Sequence, residues 1–296
     1  MIDENGTMFM LADAEGGASV FRILHSTLAM RTWSCMGLNT LQLANSREAL
    51  RGRRSEGRLG WGGPVFMVLA RSGFALSAQG LLALMFVLHG RPSPFTEAAA
   101  WWTVYGTLVD IGCLAFLFRF TRREGIRLVD LIGVSRKTLV ADVLLGVGLF
   151  FVLFPVIVGG GSLIASLLVY GTSHPDLPPG VFGRSLPRWG VLYSRLIWWV
   201  IWSFTEQLTY QGYALPRLQV LTGRSWLAIL LVGSGWALQH CFLPFSLDGR
   251  ELLFRFLIFL PLVMVMPILY LRLRRLLPFV IAHWGMDFLL TLMTIA

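Results

Sequence analysis

Four ionisable residues lie inside apolar stretches: Glu206 in SFTEQLTYQG, His240 in SGWALQHCF, and His283 with Asp287 in IAHWGMDFL. A charged group in the middle of a bilayer costs about 3 kcal/mol even on lenient insertion scales, so each marks a candidate functional site. The set holds a carboxylate that can act as a general base, histidines that can carry a proton or donate a hydrogen bond, and a second carboxylate. His283 and Asp287 are four apart and share one helix face. A carboxylate at mid-bilayer must find a partner or take up a proton, so Glu206 is the hardest to read as merely structural. A lone His240 could bridge helices, and Asp287 could simply brace His283. Asp110, midway along another apolar stretch, belongs to no motif and could hydrogen-bond a neighbouring helix.

These residues need membrane helices to position them, and the composition supplies such helices. The 296-residue chain is 55% apolar and 14% charged, with a mean hydropathy of +0.67. A soluble domain would carry about 25% charged residues, so the chain reads as a polytopic membrane protein. The net charge of +9 comes almost wholly from arginine, with Lys137 the single lysine. The arginines flank apolar segments and act as topology anchors, so no nucleic-acid partner is implied. Such use of arginine suggests a GC-rich bacterial source. Cys35, Cys113 and Cys241 show no paired spacing and imply no disulfide framework.

Seven spans are expected, at 65–88, 101–120, 138–158, 189–214, 225–246, 252–271 and 276–296, each near the ~20 residues a bilayer requires. The expected fold is an all-α bundle of six to eight transmembrane helices around a buried polar cavity. Residues 1–60 read as a polar, Arg-rich, poorly ordered cytoplasmic tail, with Met30 and Met36 as alternative starts. Residues 61–137 hold the first two spans and a basic loop, and 138–296 hold the core with the candidate site. Pro155 and Gly159–Gly161 are expected to end the third span, with a short apolar piece at 162–170 and a Pro/Gly-rich connector after it. With the N-terminus inside, 18 of the 25 Lys and Arg residues fall on the cytoplasmic side and five outside. This asymmetry follows the positive-inside rule and points to a bacterial plasma-membrane protein. No long internal repeat and no nucleotide-binding motif is present.

Depth allows the four residues to meet. At ~1.5 Å per residue they fall within about 10 Å of one another along the membrane normal. Three motifs then resemble the CPBP family of intramembrane proteases, which includes CAAX-processing enzymes and bacteriocin-processing or immunity proteins. That family carries E-E-x-x-x-R, F-x-x-x-H and H-x-x-x-N or H-x-x-x-D on successive membrane helices. Here the matching stretches are Glu206-Gln207-Leu208-Thr209-Tyr210-Gln211, Trp236-Ala237-Leu238-Gln239-His240 and His283-Trp284-Gly285-Met286-Asp287. The resemblance covers residues 138–294. The second glutamate and the arginine of the first motif are Gln207 and Gln211, so both charges of an i, i+4 pair are lost together. The two amides could hydrogen-bond each other. Trp236 keeps an aromatic wall where the family has phenylalanine.

The resemblance implies peptide-bond hydrolysis within the membrane, on a peptide or membrane-protein substrate that can be lipidated. Glu206 would activate water, His240 would bind that water or pass on a proton, and His283 would donate to the oxyanion. Asp287 would orient His283 or donate a bond itself. Two histidines and two carboxylates could also bind zinc, although no HExxH helix is present, so the metal-dependent and metal-free routes both stay open. A non-catalytic scaffold or immunity-type protein is the alternative, favoured by the Gln207 and Gln211 departures. A proton-coupled transporter is the third reading.

Overall fold

In the computed structural model, residues 44–175 and 186–294 are described. Most of the expected tail (1–43) and part of the expected connector (176–185) lie outside the described residues. The end of the tail segment is helical. Helix α1, Arg47–Ser55, starts where the Ser46 hydroxyl accepts from Ala49 N at 3.1 Å, with Glu48 in its first turn and Arg53 and Arg54 in its last. That is the charge order a helix dipole favours.

Helix α2 runs Gly62–Leu88, the short α3 Pro94–Ala99, and α4 Trp102–Arg123. Helix α5, Leu139–Pro155, passes through a π-helical segment, Val156–Gly161, into α6, Ser162–Tyr170. The third span is expected to end at 158, at Pro155 and Gly159–Gly161, yet the helix continues to Tyr170. A proline in a helix interior clashes with the carbonyl four residues before it, and a wider π turn accommodates that proline without breaking the chain's direction.

The expected fourth span is a longer helical run broken twice. It comprises α7 (Arg188–Tyr193), a π segment (Ser194–Trp198), α8 (Trp199–Gln207), a second π segment (Leu208–Ala214) and α9 (Leu215–Thr222). Then follow α10, Ser225–Phe242; α11, Gly249–Leu273; and α12, Leu277–Thr294. The Asp248 side chain caps α11, accepting from Arg250 N at 2.8 Å. No strand occurs among the described residues, and five of their helical runs are long and apolar enough to cross a membrane. Leu277–Met293 is a shorter apolar helix. The fold is therefore an all-helical polytopic bundle.

The bundle turns apolar side chains outward as well as inward. Leu81, Leu84, Leu144 and Phe151 are exposed, while Arg71, Asp110, Glu206 and Gln239 are buried. That inversion suits a lipid solvent. Within the bundle α10 runs parallel to α2 and very close to it. A Cβ on Gly235 would collide with the Val68 side chain and come within 3.0 Å of Val68 O. On its other side Gly233 backs onto α11, where a Cβ would lie 2.7 Å from Met264 Sδ. Glycine at these two places lets backbones approach as small residues do in membrane helices. One turn beyond the Gly235–Val68 contact, Gln239 meets Arg71.

At one end of the bundle the segments expected on the cytoplasmic side converge. Glu124, just past α4, accepts from Arg53 of α1 at 3.0 Å and from Arg217 of α9 at 2.7 and 2.6 Å. All three are buried. Burial and the like charge of Arg217 push the Arg53 guanidinium below the ordinary arginine range, while Glu124 pulls it back up.

Candidate active site

The α8 helix places Glu206 just before the second π segment, an irregularity often found at functional sites. Its side chain is 0% exposed. The Trp236 indole N–H donates to Glu206 Oε1, and His240 Nε2 lies 4.0 Å from the same oxygen. Glu206 Oε2 has no hydrogen-bond partner and faces Arg71 Nη2 at 3.6 Å. The carboxylate thus has one oxygen held and one free to accept.

Trp236 is walled by Tyr210, stacked at 5.0 Å between ring centroids and 13° between planes. His240 stacks on Phe259 of α11 at 3.6 Å. Its side chain keeps 18% exposure, whereas that of Glu206 has none.

On α12, His283 Nε2 lies 3.4 Å from Asp287 Oδ2, the i, i+4 pairing expected from the sequence. The Ser203 hydroxyl donates to Asp287 Oδ2 at 2.6 Å. Gln207 Nε2 donates to His283 Nδ1 at 3.0 Å, which leaves the imidazole proton on Nε2, facing Asp287. Trp236 bridges the two halves, since its ring lies 6.2 Å from that of His283 while its N–H reaches Glu206.

Glu206, His240, Trp236, His283, Asp287 and Gln207 are therefore brought together. Gln211 is not. It is fully buried in the second π segment, and neither amide atom has a hydrogen-bond partner. The expected Gln207–Gln211 amide pair does not form: Gln207 Nε2 turns to His283, and Gln207 Oε1 stays without a partner as well.

Zinc held by Glu206, His240, His283 and Asp287 does not fit these contacts. His283 Nδ1 accepts from Gln207 while its Nε2 only faces Asp287 at 3.4 Å, Glu206 Oε1 accepts from Trp236, and Asp287 Oδ2 accepts from Ser203. No group of three or more His, Cys, Asp or Glu side chains is arranged to share an ion among the described residues.

The sequence gives no role to Arg71, Gln239 or Ser203, while the hydrogen bond to a neighbouring helix expected of Asp110 does form. Arg71 donates to Asp110 Oδ1 at 2.9 Å and to Gln239 Oε1 at 2.6 Å. A signal for the pair existed, because an arginine and an aspartate inside two membrane helices each need a partner of opposite charge. Ser203 had no such signal, since a hydroxyl on a membrane helix can bond its own backbone, and Trp199 O lies 2.8 Å from Ser203 Oγ as an alternative acceptor.

Fold and site together define a multi-pass membrane protein with a buried carboxylate–histidine centre. Residues 188–289 match the family model described as Type II CAAX prenyl endopeptidase Rce1-like. That segment carries all three motifs, and the match supports membership of the CPBP family and an intramembrane, CAAX-protease-like function. No curated protein and no solved structure matches the chain.

Proposed function

We propose that the protein is an intramembrane endopeptidase in which Glu206 activates water for attack on a peptide bond at the membrane. The observation that carries this reading is the state of one side chain. Glu206 is fully buried, its Oε1 is held by Trp236, and its Oε2 keeps a free lone pair within a site that also holds two histidines.

Oε2 takes a proton from water as the water oxygen bonds to the substrate carbonyl carbon. Removing that proton from a positioned nucleophile contributes about 10²–10⁴-fold to such rates. His240, beside the same carboxylate, relays the proton to the leaving amine as the C–N bond breaks. His283, its proton on Nε2, donates to the carbonyl oxygen as charge develops there. Asp287, fixed by Ser203, orients that imidazole. No step is routed through a metal. The substrate is a peptide or membrane protein, lipidated members included, and the protein sits in a bacterial plasma membrane with its N-terminus in the cytoplasm.

The test compares purified wild type and Glu206→Gln in detergent on a quenched fluorescent peptide library with lipidated members. Expected is cleavage by wild type alone, persisting after thorough chelation. Equal cleavage by both proteins removes Glu206 from the reaction. Cleavage lost on chelation and restored by zinc overturns the metal-free route. No cleavage by either, with both folded, favours a non-catalytic binding role.

A further inference from the structure

We infer that Arg71 is a positioning residue for Glu206, a guanidinium that balances the charge of the base without occupying its reactive oxygen. This inference rests on the proposed hydrolysis. Arg71 lies on α2, outside the 188–289 segment that matches the family model.

The geometry goes beyond what a pin between helices needs. Arg71 is fully buried, and three different helices fix its orientation. Nη1 donates to Asp110 of α4 at 2.9 Å, Nε donates to Gln239 of α10 at 2.6 Å, and the guanidinium carbon sits 3.9 Å from the centroid of the Trp202 ring of α8. Trp202 lies one turn before Glu206 on the same helix face. A planar fork held on two edges and one face has a single direction left for its last nitrogen. That nitrogen, Nη2, has no hydrogen-bond partner and points at Glu206 Oε2, which has none either.

The separation of 3.6 Å is what gives the arrangement its use. A pair at hydrogen-bond distance would direct a proton onto the Oε2 lone pair and compete with water for it. A pair slightly beyond that distance keeps most of the Coulomb attraction, which falls only as the inverse of distance. The elements packed around Glu206 offer Arg71 from α2, His240 from α10, and His283 with Asp287 from α12, with Asp110 behind Arg71. Arg71 is the permanent cation of that set.

The test uses the full-length protein in detergent and two variants, with kcat and KM measured per folded molecule. Replacing a buried ion pair by apolar residues of similar size is often neutral for stability, so Arg71→Met with Asp110→Leu tests position apart from folding. Expected is a folded double variant with kcat lower by about 100-fold and KM unchanged, in line with the loss of an aligned base. Arg71→Lys, which keeps the charge but not the fork, should fall between it and wild type. A double variant that cleaves at the wild-type rate overturns the inference and leaves Arg71 a structural pin.

A thermal-melting cycle between Arg71→Gln and Glu206→Gln gives an answer that does not depend on turnover. Coupled melting shifts support the pairing, and additive shifts overturn it. If wild type cleaves nothing, the proposed function fails on that result, while the cycle still decides whether the two residues act as a unit.

Discussion

Gln207 Nε2 and His283 Nδ1 stand 3.0 Å apart, and this amide–imidazole bond sets which nitrogen of the histidine carries the proton. The family motif has a glutamate at the position of Gln207, and a carboxylate there could only accept from Nδ1–H. The amide inverts the bond, so the proton is released to the Nε2 side, towards Asp287. The departure from the motif therefore acts on His283 as well as on the charge count.

Gln207→Glu should destabilise the chain by about 3–5 kcal/mol, because it buries a carboxylate that faces the His283 imidazole but no permanent cation. Adding Gln211→Arg should recover part of that loss, because a guanidinium reaches further than the Gln211 amide, which does not meet Gln207. Melting temperatures of the single and double variants in one detergent check this, and a double variant no better than the single would refute it.

Gly235→Ala should cost about 1–3 kcal/mol, the usual range for overpacking a tight contact. The new methyl meets Val68, side chain and carbonyl alike, so α10 must move away from α2. The Gln239–Arg71 bond lies one turn further along, so the same variant should cut turnover beyond the lost stability. Cleavage per folded molecule separates the two effects. Gly52→Ala, at a site where a Cβ meets nothing within 4 Å, serves as the control.

Glu124→Gln should lower stability by about 3–5 kcal/mol, since it leaves the buried Arg53 and Arg217 facing each other without their shared carboxylate. Adding Arg53→Gln should restore part of it by removing one of the two charges. Denaturation of the three proteins in matched detergent reads the difference directly.

The sequence made the centre legible because a bilayer penalises polar groups. Glu206, His240, His283 and Asp287 stood out against apolar neighbours, and they do converge. What escaped was relational. Asp110 was visible as a polar residue in an apolar stretch, but only the helix packing shows that α2 brings Arg71 to it and that both helices face α8. The π segments escaped too, because no periodicity separates a π turn from an α turn over five to seven residues. The helix at Arg47–Ser55 was concealed by its own arginines, whose helix-forming character is outweighed, on a reading of polarity alone, by their charge.

The bundle contains two charge triads of opposite sense. In the interior a cation, Arg71, stands between two anions, Asp110 and Glu206; at the end an anion, Glu124, stands between two cations, Arg53 and Arg217. Taken as ionised, the first triad carries one negative charge in excess and the second one positive charge. Asp110 and Glu124 mark the two layers on one stretch of chain, about 20 Å apart at helical rise. The chain thus sets an excess of negative charge in one buried layer against an excess of positive charge in another, several helix turns away along α4.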